Sequence, residues 1–267
     1  MISDLPSKVI RRLIISMIEV EKRGHIGPAM SLVEILHVLY SSFLRYRINE
    51  PLWPDRDRLI LSKGHGCLAL YATLAYQGFF PKEELQTFCL PISRLGGHPE
   101  WKKAPGIEAS TGALGHGLSI GVGMALAAKI RKKDFRIVVI TGDGELNEGS
   151  IWEASMAAAK HKLSNLTVLV DYNKLQSYGL TKEVLDLEPL KDKWQAFGFE
   201  VAEVDGHDIK ALENILSQLP LSSNKPTAVI CHTIKGKGIP FTEGKAEWHH
   251  KSGLKPHDIE ALYESLL

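Results

Sequence analysis

The spacing of hydrophobic residues changes along the chain between a helical and an extended pattern. Residues 3–22 carry Leu5, Val9, Leu13 and Met17 at intervals of four, which predicts a helix. Short apolar, β-branched runs predict strands within 55–62, 137–141, 166–170, 199–204 and 227–233. Helical patterns separate these runs. The alternation predicts an α/β fold: a mostly parallel sheet with helices on both faces.

The clearest unit of this kind lies between Ile137 and Leu175. Two strand-like runs there flank a segment of small and apolar residues that suits a packed helix. A strand, a helix and a strand at this length predict a parallel βαβ unit. Gly142-Asp143-Gly144 follows the first run, and Asn173 follows the second. Ligands bind at the carboxyl edge of parallel sheets, so we expect Asp143 and Asn173 to face one crevice.

Asp143 and Asn173 predict a particular kind of metal site. One carboxylate and one amide oxygen suit Mg²⁺, which takes its other ligands from phosphates and water. A helix beginning near Ser150 would point its first N–H groups at the same anion. A Gly-Asp-Gly turn alone is common, so the prediction depends on the asparagine 30 positions after Asp143. The glycine spacing fits neither a Rossmann fingerprint nor a P-loop.

Composition narrows the class of protein. The chain has 267 residues, 44% of them hydrophobic, and we expect residues 1–267 to form a single domain. A net charge of +1 favours neither nucleic acid nor membrane as a partner. Cys67, Cys89 and Cys231 lack a metal-binding spacing and are typical of reduced thiols, so we expect a cytoplasmic protein. The longest apolar stretch, residues 118–130, is too short to cross a bilayer.

Three histidines occur in glycine-rich loops. His25 lies in RGHIG, His65 in KGHG after a predicted strand, and His98 in GGHPE. Each one alone is more simply explained as a structural or surface residue. Taken with Asp143 and Asn173, the three predict a functional site.

Three local patterns give further predictions. Ser31 and Glu34 match a capping box that opens a helix through about residue 43. Gly121 and Gly123 are expected to allow helix–helix packing. His207 precedes a predicted helix at 209–219 and is expected to be a capping or surface residue.

The order and spacing of the motifs resemble a known family. RGHIG, LSKGHG, GGHPE, STGALGHGLSIGVGMA and TGDGELNEG are similar to the amino-terminal, diphosphate-binding part of transketolase, from about residue 8 to 253. The resemblance implies a thiamine-diphosphate-binding fold of the diphosphate (PP) type. It also implies transfer of a two-carbon ketol unit from a ketose or ketose phosphate to an aldose. The implied cofactors are thiamine diphosphate and Mg²⁺, with Ca²⁺ or Mn²⁺ able to replace the latter.

The resemblance assigns roles to individual residues. The implied metal ligands are Asp143, Asn173 and the main-chain carbonyl of Leu175. The implied cofactor-binding residues are His65, Gly112, Leu114, Gly144, Glu148, Asn173 and His249. The implied catalytic residues are His25, His98 and His249, with His25 and His249 handling protons and His98 binding the C1 hydroxyl. Lys235 and Lys237 follow the predicted strand 227–233, and they either meet substrate or diphosphate or are solvated.

The chain departs from the family pattern at three positions. Tyr172 replaces an asparagine, His116 replaces a glutamine, and His250 replaces a small residue. Pro28 lies near the loop that would bind the donor. None of these positions indicates which sugars the protein uses.

The family pattern also implies a partner. Its activating glutamate lies on a pyrimidine-binding domain that follows the part matched here. We therefore expect a second subunit carrying that domain and glutamate, in an α₂β₂ assembly with sugar or sugar-phosphate substrates.

Two alternative functions stay open. One is another thiamine-diphosphate enzyme, such as a 1-deoxyxylulose-phosphate-synthase-like carboligase or an oxo-acid dehydrogenase subunit, the latter disfavoured by the histidines. The other is a non-catalytic cofactor-binding module.

Overall fold

The computed structural model describes residues 5–267, and its central element is a five-stranded parallel sheet. The strands are β1 (Arg58–Leu61), β2 (Ile137–Gly142), β3 (Leu166–Tyr172), β4 (Glu200–Asp205) and β5 (Thr227–His232). Their order in the sheet is β1-β2-β3-β5-β4, and all neighbours are parallel. In the predicted βαβ unit, Ile137 pairs with Leu166 and Gly142 pairs with Asp171. The predicted fold class is confirmed.

Helices of the described residues cover both faces of this sheet. They are α1 (Leu5–Glu21), α2 (Ile26–Met30), α3 (Val33–Val38), α4 (Cys67–Tyr76), α5 (His116–Ile130), α6 (Gly149–Lys160), α7 (Thr181–Val184), α8 (Leu190–Ala196), α9 (Ile209–Ser217) and α10 (Pro256–Glu264). A π-helical turn, Leu39–Phe43, continues α3. The helix predicted over 3–22 corresponds to α1, but residues 1–4 lie outside the described residues.

Alternate residues of the strands pack into two separate cores. Val138 and Ile140 of β2 face a core built with α1, α3 and α4, whereas Ile137 and Val139 face a core built with α5 and α6. Successive side chains of a strand point to opposite faces, so both faces of β2 are buried. Burial on both faces explains why the strands read as continuous apolar runs in the sequence.

Two local predictions about helices are wrong. Ser31 ends α2, and its hydroxyl donates to the Asp171 carboxylate over 2.7 Å instead of capping the next helix. Gly121 does not mediate helix–helix packing: a Cβ there would lie 2.5 Å from Cγ2 of Val139 on β2. Gly121 thus lets α5 approach the sheet closely. A Cβ at Gly123 would meet no atom of the described residues within 4 Å.

Among residues 5–267, no helix combines the length and the apolar character that crossing a membrane requires.

Candidate functional site

A cavity of about 280 Å³ lies where the loops after β1, β2, β3 and β5 meet. It is lined by His25, Pro28, Lys63, His65, His98, Gly112, Leu114, Gly142, Asp143, Gly144, Glu145, Asn173, Leu175, Gln176, Ser177, Lys235 and His249. Because all strands are parallel, these loops share the carboxyl edge of the sheet. The family resemblance assigned a metal-binding, cofactor-binding or catalytic role to eleven residues. The structure brings ten of them together around this cavity.

Glu148 is the predicted site residue that does not line this cavity. It is exposed, at the junction between the 3₁₀ turn Gly144–Asn147 and α6, and its side chain lies beside Gly115. His116, at the start of α5, is also outside the cavity, and its Nδ1 lies 3.1 Å from the carbonyl oxygen of Leu114.

One wall of the cavity presents oxygen atoms. The Asp143 carboxylate is buried and accepts hydrogen bonds from the backbone N–H groups of Gly144 (2.7 Å) and Lys174 (2.5 Å). Oδ1 of Asn173 accepts from the N–H of Leu175 over 3.1 Å. The carbonyl oxygen of Leu175 accepts from Nζ of Lys235 over 2.5 Å. A carboxylate, an amide and a main-chain carbonyl are the hard oxygen ligands that Mg²⁺ and Ca²⁺ prefer.

The electrostatics of this wall also suit a cation. Burial, together with the neighbouring Asp171 carboxylate, raises the pKa of Asp143 to about 6. A divalent cation held by Asp143 would favour its ionised form and offset the repulsion from Asp171. The residues present therefore fit a divalent metal ion.

Two buried lysines supply positive charge, and sequence analysis identified only one of them. Nζ of Lys63 donates to Asp171 over 2.5 Å, and Asp171 also accepts from the hydroxyl of Thr233. Burial alone would raise the pKa of Asp171, but Lys63 holds it below its usual value. Burial and the nearby Lys63 lower the pKa of Lys235 to about 8. Lys237 lies outside the cavity, with Nζ 3.9 Å from Glu243.

A second part of the cavity lining, the imidazole wall, presents a cluster of histidine rings. The ring centroid of His25 lies 5.3 Å from His65, 5.4 Å from His249 and 6.3 Å from His98. His250 adds a further ring 4.6 Å from His25, at an exposed position. The family departure at His250 thus enlarges the cluster next to His25.

Three half-buried imidazoles of this cluster have lowered pKa values and are therefore neutral at pH 7. Burial lowers the pKa of His25 to about 4, with a further contribution from His250. Burial and the charge of Lys235 lower the pKa of His249 to about 3. Burial, followed by Lys63, holds the pKa of His65 well below its usual value. Neutral imidazoles offer one N–H donor and one nitrogen acceptor each, so they can bind hydroxyl groups and accept protons.

Glu145, which sequence analysis missed, links three loops of the site. Its buried carboxylate accepts from the hydroxyl of Ser62, the N–H of Gly115 (2.8 Å) and the N–H of Gly142 (3.0 Å). The only sequence signal was its place directly after Gly144. The loops that follow β1 and β2 and the loop that precedes α5 are thereby held together.

Several buried polar atoms around the cavity have no hydrogen-bond partner within the described part of the chain. They include Nδ1 of His249, Nε2 of Gln176 and Oγ1 of Thr111. Buried donors and acceptors are normally paired, so unpaired groups beside a cavity are available to a polar ligand. Gly112 adopts a φ of 154°, and a Cβ there would lie 3.2 Å from the His98 ring. A diphosphate-containing cofactor fits these groups.

Comparisons with known proteins identify the family to which the chain is similar. The family model described as "Transketolase, thiamine diphosphate binding domain" matches residues 3–266. An apulose-4-phosphate transketolase subunit of Phocaeicola vulgatus is 44% identical, over 98% of this chain and 92% of the relative. A 6-deoxy-6-sulfo-D-fructose transketolase subunit of Clostridium sp. is also 44% identical, over 91% of this chain and 89% of the relative.

Solved structures show the same architecture. A transketolase mutant from Pichia stipitis matches with a TM-score of 0.91 at 32% identity. The match covers 98% of this chain but 40% of the solved one, so the chain spans about two fifths of that transketolase.

Proposed function

Because the chain belongs to the transketolase family, as one of its thiamine-diphosphate-binding domains, we propose that it is the diphosphate-binding subunit of a two-chain transketolase. The proposed reaction transfers a two-carbon ketol unit from a ketose or ketose phosphate to an aldose. One observation carries the proposal: oxygen ligands and a cluster of imidazoles line a single cavity. The family resemblance predicted from the sequence is confirmed.

The oxygen wall would hold the cofactor through a metal ion. Asp143, Asn173 and the carbonyl of Leu175 would ligate Mg²⁺, or Ca²⁺ or Mn²⁺ in its place. Lys235 and His65 would hydrogen-bond the diphosphate. Thiamine diphosphate, when bound, supplies the nucleophilic carbon needed to break and remake the carbon–carbon bond next to a carbonyl.

The imidazole wall would bind the sugar and move its protons. His25 and His249 would accept and return protons of the donor hydroxyls, and His98 would hydrogen-bond the C1 hydroxyl. Burial is the main cause of the low pKa values of His25 and His249, and the charges of Lys63 and Lys235 lower them further. A bound anion would offset those charges and remove their contribution to the lowering of both pKa values.

An exposed apolar surface supports the proposal of a partner subunit. We define the α5–α6 face as the exposed Gly123 and Ile130 and the partly buried Ile120 and Met124 of α5, with the exposed Met156 of α6. Met156 is 55% exposed and Ile130 73%. Tyr178, 91% exposed, is a further exposed apolar residue and directly follows Ser177 of the cavity in the sequence. Contiguous exposed apolar surface is typical of protein interfaces.

The proposed occupant of this face is a second protein chain carrying the pyrimidine-binding domain and the activating glutamate. Two copies of each chain would give an α₂β₂ assembly. The Phocaeicola relative is named as one subunit of its transketolase, which supports a divided enzyme. We further propose that residues 1–267 act as one domain and that the enzyme works in the cytoplasm, since Cys67, Cys89 and Cys231 are free thiols.

The substrates are proposed at the level of their class. The two relatives are named for different sugars, apulose 4-phosphate and 6-deoxy-6-sulfo-D-fructose. Both are named transketolases, which disfavours the carboligase and dehydrogenase alternatives. The non-catalytic alternative predicts cofactor binding without turnover in any mixture of subunits.

Calorimetry tests the proposal. Thiamine diphosphate with Mg²⁺ is titrated into the chain alone and into a mixture with a candidate pyrimidine-domain subunit. We expect tight binding and ketol transfer in the mixture, and at least about a hundredfold weaker binding in Asp143→Ala, which removes a charged ligand. Asp192→Asn, at an exposed position of α8, is the matched control and should bind normally.

Each failure has a distinct meaning. Ketol transfer by the chain alone would contradict the divided enzyme. Absence of cofactor binding by the folded mixture would overturn the whole assignment.

A further inference from the structure

His207, in the loop between β4 and α9, is neither a surface residue nor the cap of α9. Its side chain is 12% exposed, and Asp208 caps α9 by accepting from the N–H of Ala211 over 3.1 Å. Nε2 of His207 accepts from the N–H of Ile234 over 2.8 Å. The ring proton must therefore lie on Nδ1, which donates to Oε2 of Glu34 over 2.9 Å.

Glu34 makes a second set of buried contacts. The guanidinium of Arg11 donates to its two carboxylate oxygens over 2.6 and 3.0 Å, and both side chains are 7% exposed. Burial alone would raise the pKa of Glu34, but the bond from His207 and the charge of Arg11 lower it to about 2. Glu34 is therefore an anion shared by Arg11 and His207.

Both partners of Glu34 also hold the segment 234–238, which follows β5. His207 binds the N–H of Ile234 at the start of this segment. Arg11 donates through Nε to the carbonyl oxygen of Lys237 over 2.8 Å, near its end. The buried Glu34 carboxylate thus holds the segment at two points. It acts through Arg11 of α1 and through His207 of the β4–α9 loop.

Lys235 lies between these two points and lines the cavity. Lys235 is 2% exposed, and its Nζ donates to the carbonyl oxygens of Leu175 (2.5 Å) and Gln176 (3.2 Å). The N–H of Gly236 donates to the carbonyl of Gly27 over 3.1 Å, which joins the segment to the first turn of α2, directly after His25. A shift of the segment would move a cation and disturb the approach to His25.

We propose that His207 is a positioning residue of the cofactor site: through Glu34 and the N–H of Ile234 it holds Lys235 against the cavity wall. The consequence for the cofactor rests on the function proposed above, whereas the positioning of Lys235 does not. His207 itself does not line the cavity.

The test compares His207→Phe, which keeps a ring but loses both hydrogen bonds, with His207→Gln. Gln can reach one of the two partners, so its effect should be intermediate. The matched control is His232→Phe, because His232 also pairs with a glutamate, Glu203, over 2.9 Å but at a 41% exposed position. Hydrogen exchange of the Ile234 amide and the acetylation rate of Lys235 are measured on the chain without cofactor.

We expect both rates to rise about tenfold in His207→Phe, which corresponds to the loss of one or two net hydrogen bonds. In the assembled enzyme, the same variant should need about tenfold more thiamine diphosphate for half-saturation while kcat at saturating cofactor changes little. A purely structural defect would lower the thermal midpoint without this separation.

Unchanged exchange at Ile234 and unchanged labelling of Lys235 in folded His207→Phe would overturn the proposal, and so would equal changes in His232→Phe. Faster exchange and labelling in a chain that never binds thiamine diphosphate would support the positioning role and count against the proposed function alone.

Discussion

The ammonium of Lys235 lies 2.5 Å from the carbonyl oxygen of Leu175, the same oxygen that the family resemblance implies as a metal ligand. One acceptor therefore has two possible cationic partners. A divalent ion at Asp143 and Asn173 would compete with Lys235 for this oxygen, because like charges repel strongly at such distances. Lys235 would then turn to the diphosphate, which offers new acceptors.

Lys235→Met is expected to separate metal binding from cofactor binding. Loss of the competing ammonium should strengthen binding of Mn²⁺ alone by roughly threefold to tenfold. Loss of a charged donor should weaken binding of thiamine diphosphate by at least about tenfold. Electron paramagnetic resonance of Mn²⁺ and calorimetry measure the two effects. Lys237→Met, outside the cavity, is the control, and equal effects in both variants would contradict the role of Lys235.

The stability of the chain should decrease on acidification. The folded pKa values of His25 (about 4) and His249 (about 3) lie below the ordinary value of 6.5. The unfolded chain therefore binds protons at these positions first as the pH falls below 6.5, so protonation favours unfolding. Urea unfolding measured between about pH 6.5 and 4.5 should show this decrease, and it should be smaller in a His25→Gln, His249→Gln double variant. An identical slope in the double variant would contradict the assignment.

Two glycines of α5 should respond oppositely to the same substitution. Gly121→Ala places a Cβ against Val139 and is expected to lower the free energy of unfolding by about 1–3 kcal/mol. Gly123→Ala meets no neighbour in the described chain and should raise it by about 0.5–1 kcal/mol through helix propensity. Chemical denaturation of both variants provides the comparison, and equal effects would refute the packing described.

The α5–α6 face should be required for assembly but not for folding. Met156→Lys adds a charge to an exposed apolar position, so the thermal midpoint of the isolated chain should change little. Binding of the pyrimidine-domain subunit should weaken by at least about tenfold if Met156 lies within the interface. Ile92→Lys, at an 88% exposed position in a turn outside α5 and α6, serves as the control in analytical ultracentrifugation. Normal assembly of Met156→Lys would place the partner elsewhere.

The strands, and the edge of the sheet at which the site lies, were predictable because short stretches of sequence indicate them. Apolar, β-branched runs mark strands that are buried on both faces, and a parallel sheet brings every strand end to one edge. Asp143 and Asn173 follow adjacent strands and meet for that reason alone. The roles of these residues stay predictions that the proposed titrations test.

The wrong and missed assignments depend on partners far apart in sequence. Ser31 and Glu34 match a capping box, but Arg11, 23 residues earlier, occupies the Glu34 carboxylate. Lys63 and Asp171 are 108 residues apart, and no spacing rule connects them. His207 resembled a helix cap because Asp208 beside it is one. Periodicity cannot show such pairs, since only the folded chain brings them together.

The three bonds to Glu145 have a consequence for the energetics of ligand binding. Ser62, Gly115 and Gly142 are fixed to one carboxylate when the chain folds, so the conformational entropy of their loops is lost at that stage. A ligand then meets a preorganised site and need not order it. The same carboxylate makes the three loops interdependent: a substitution that displaces one of them alters the surroundings of the others.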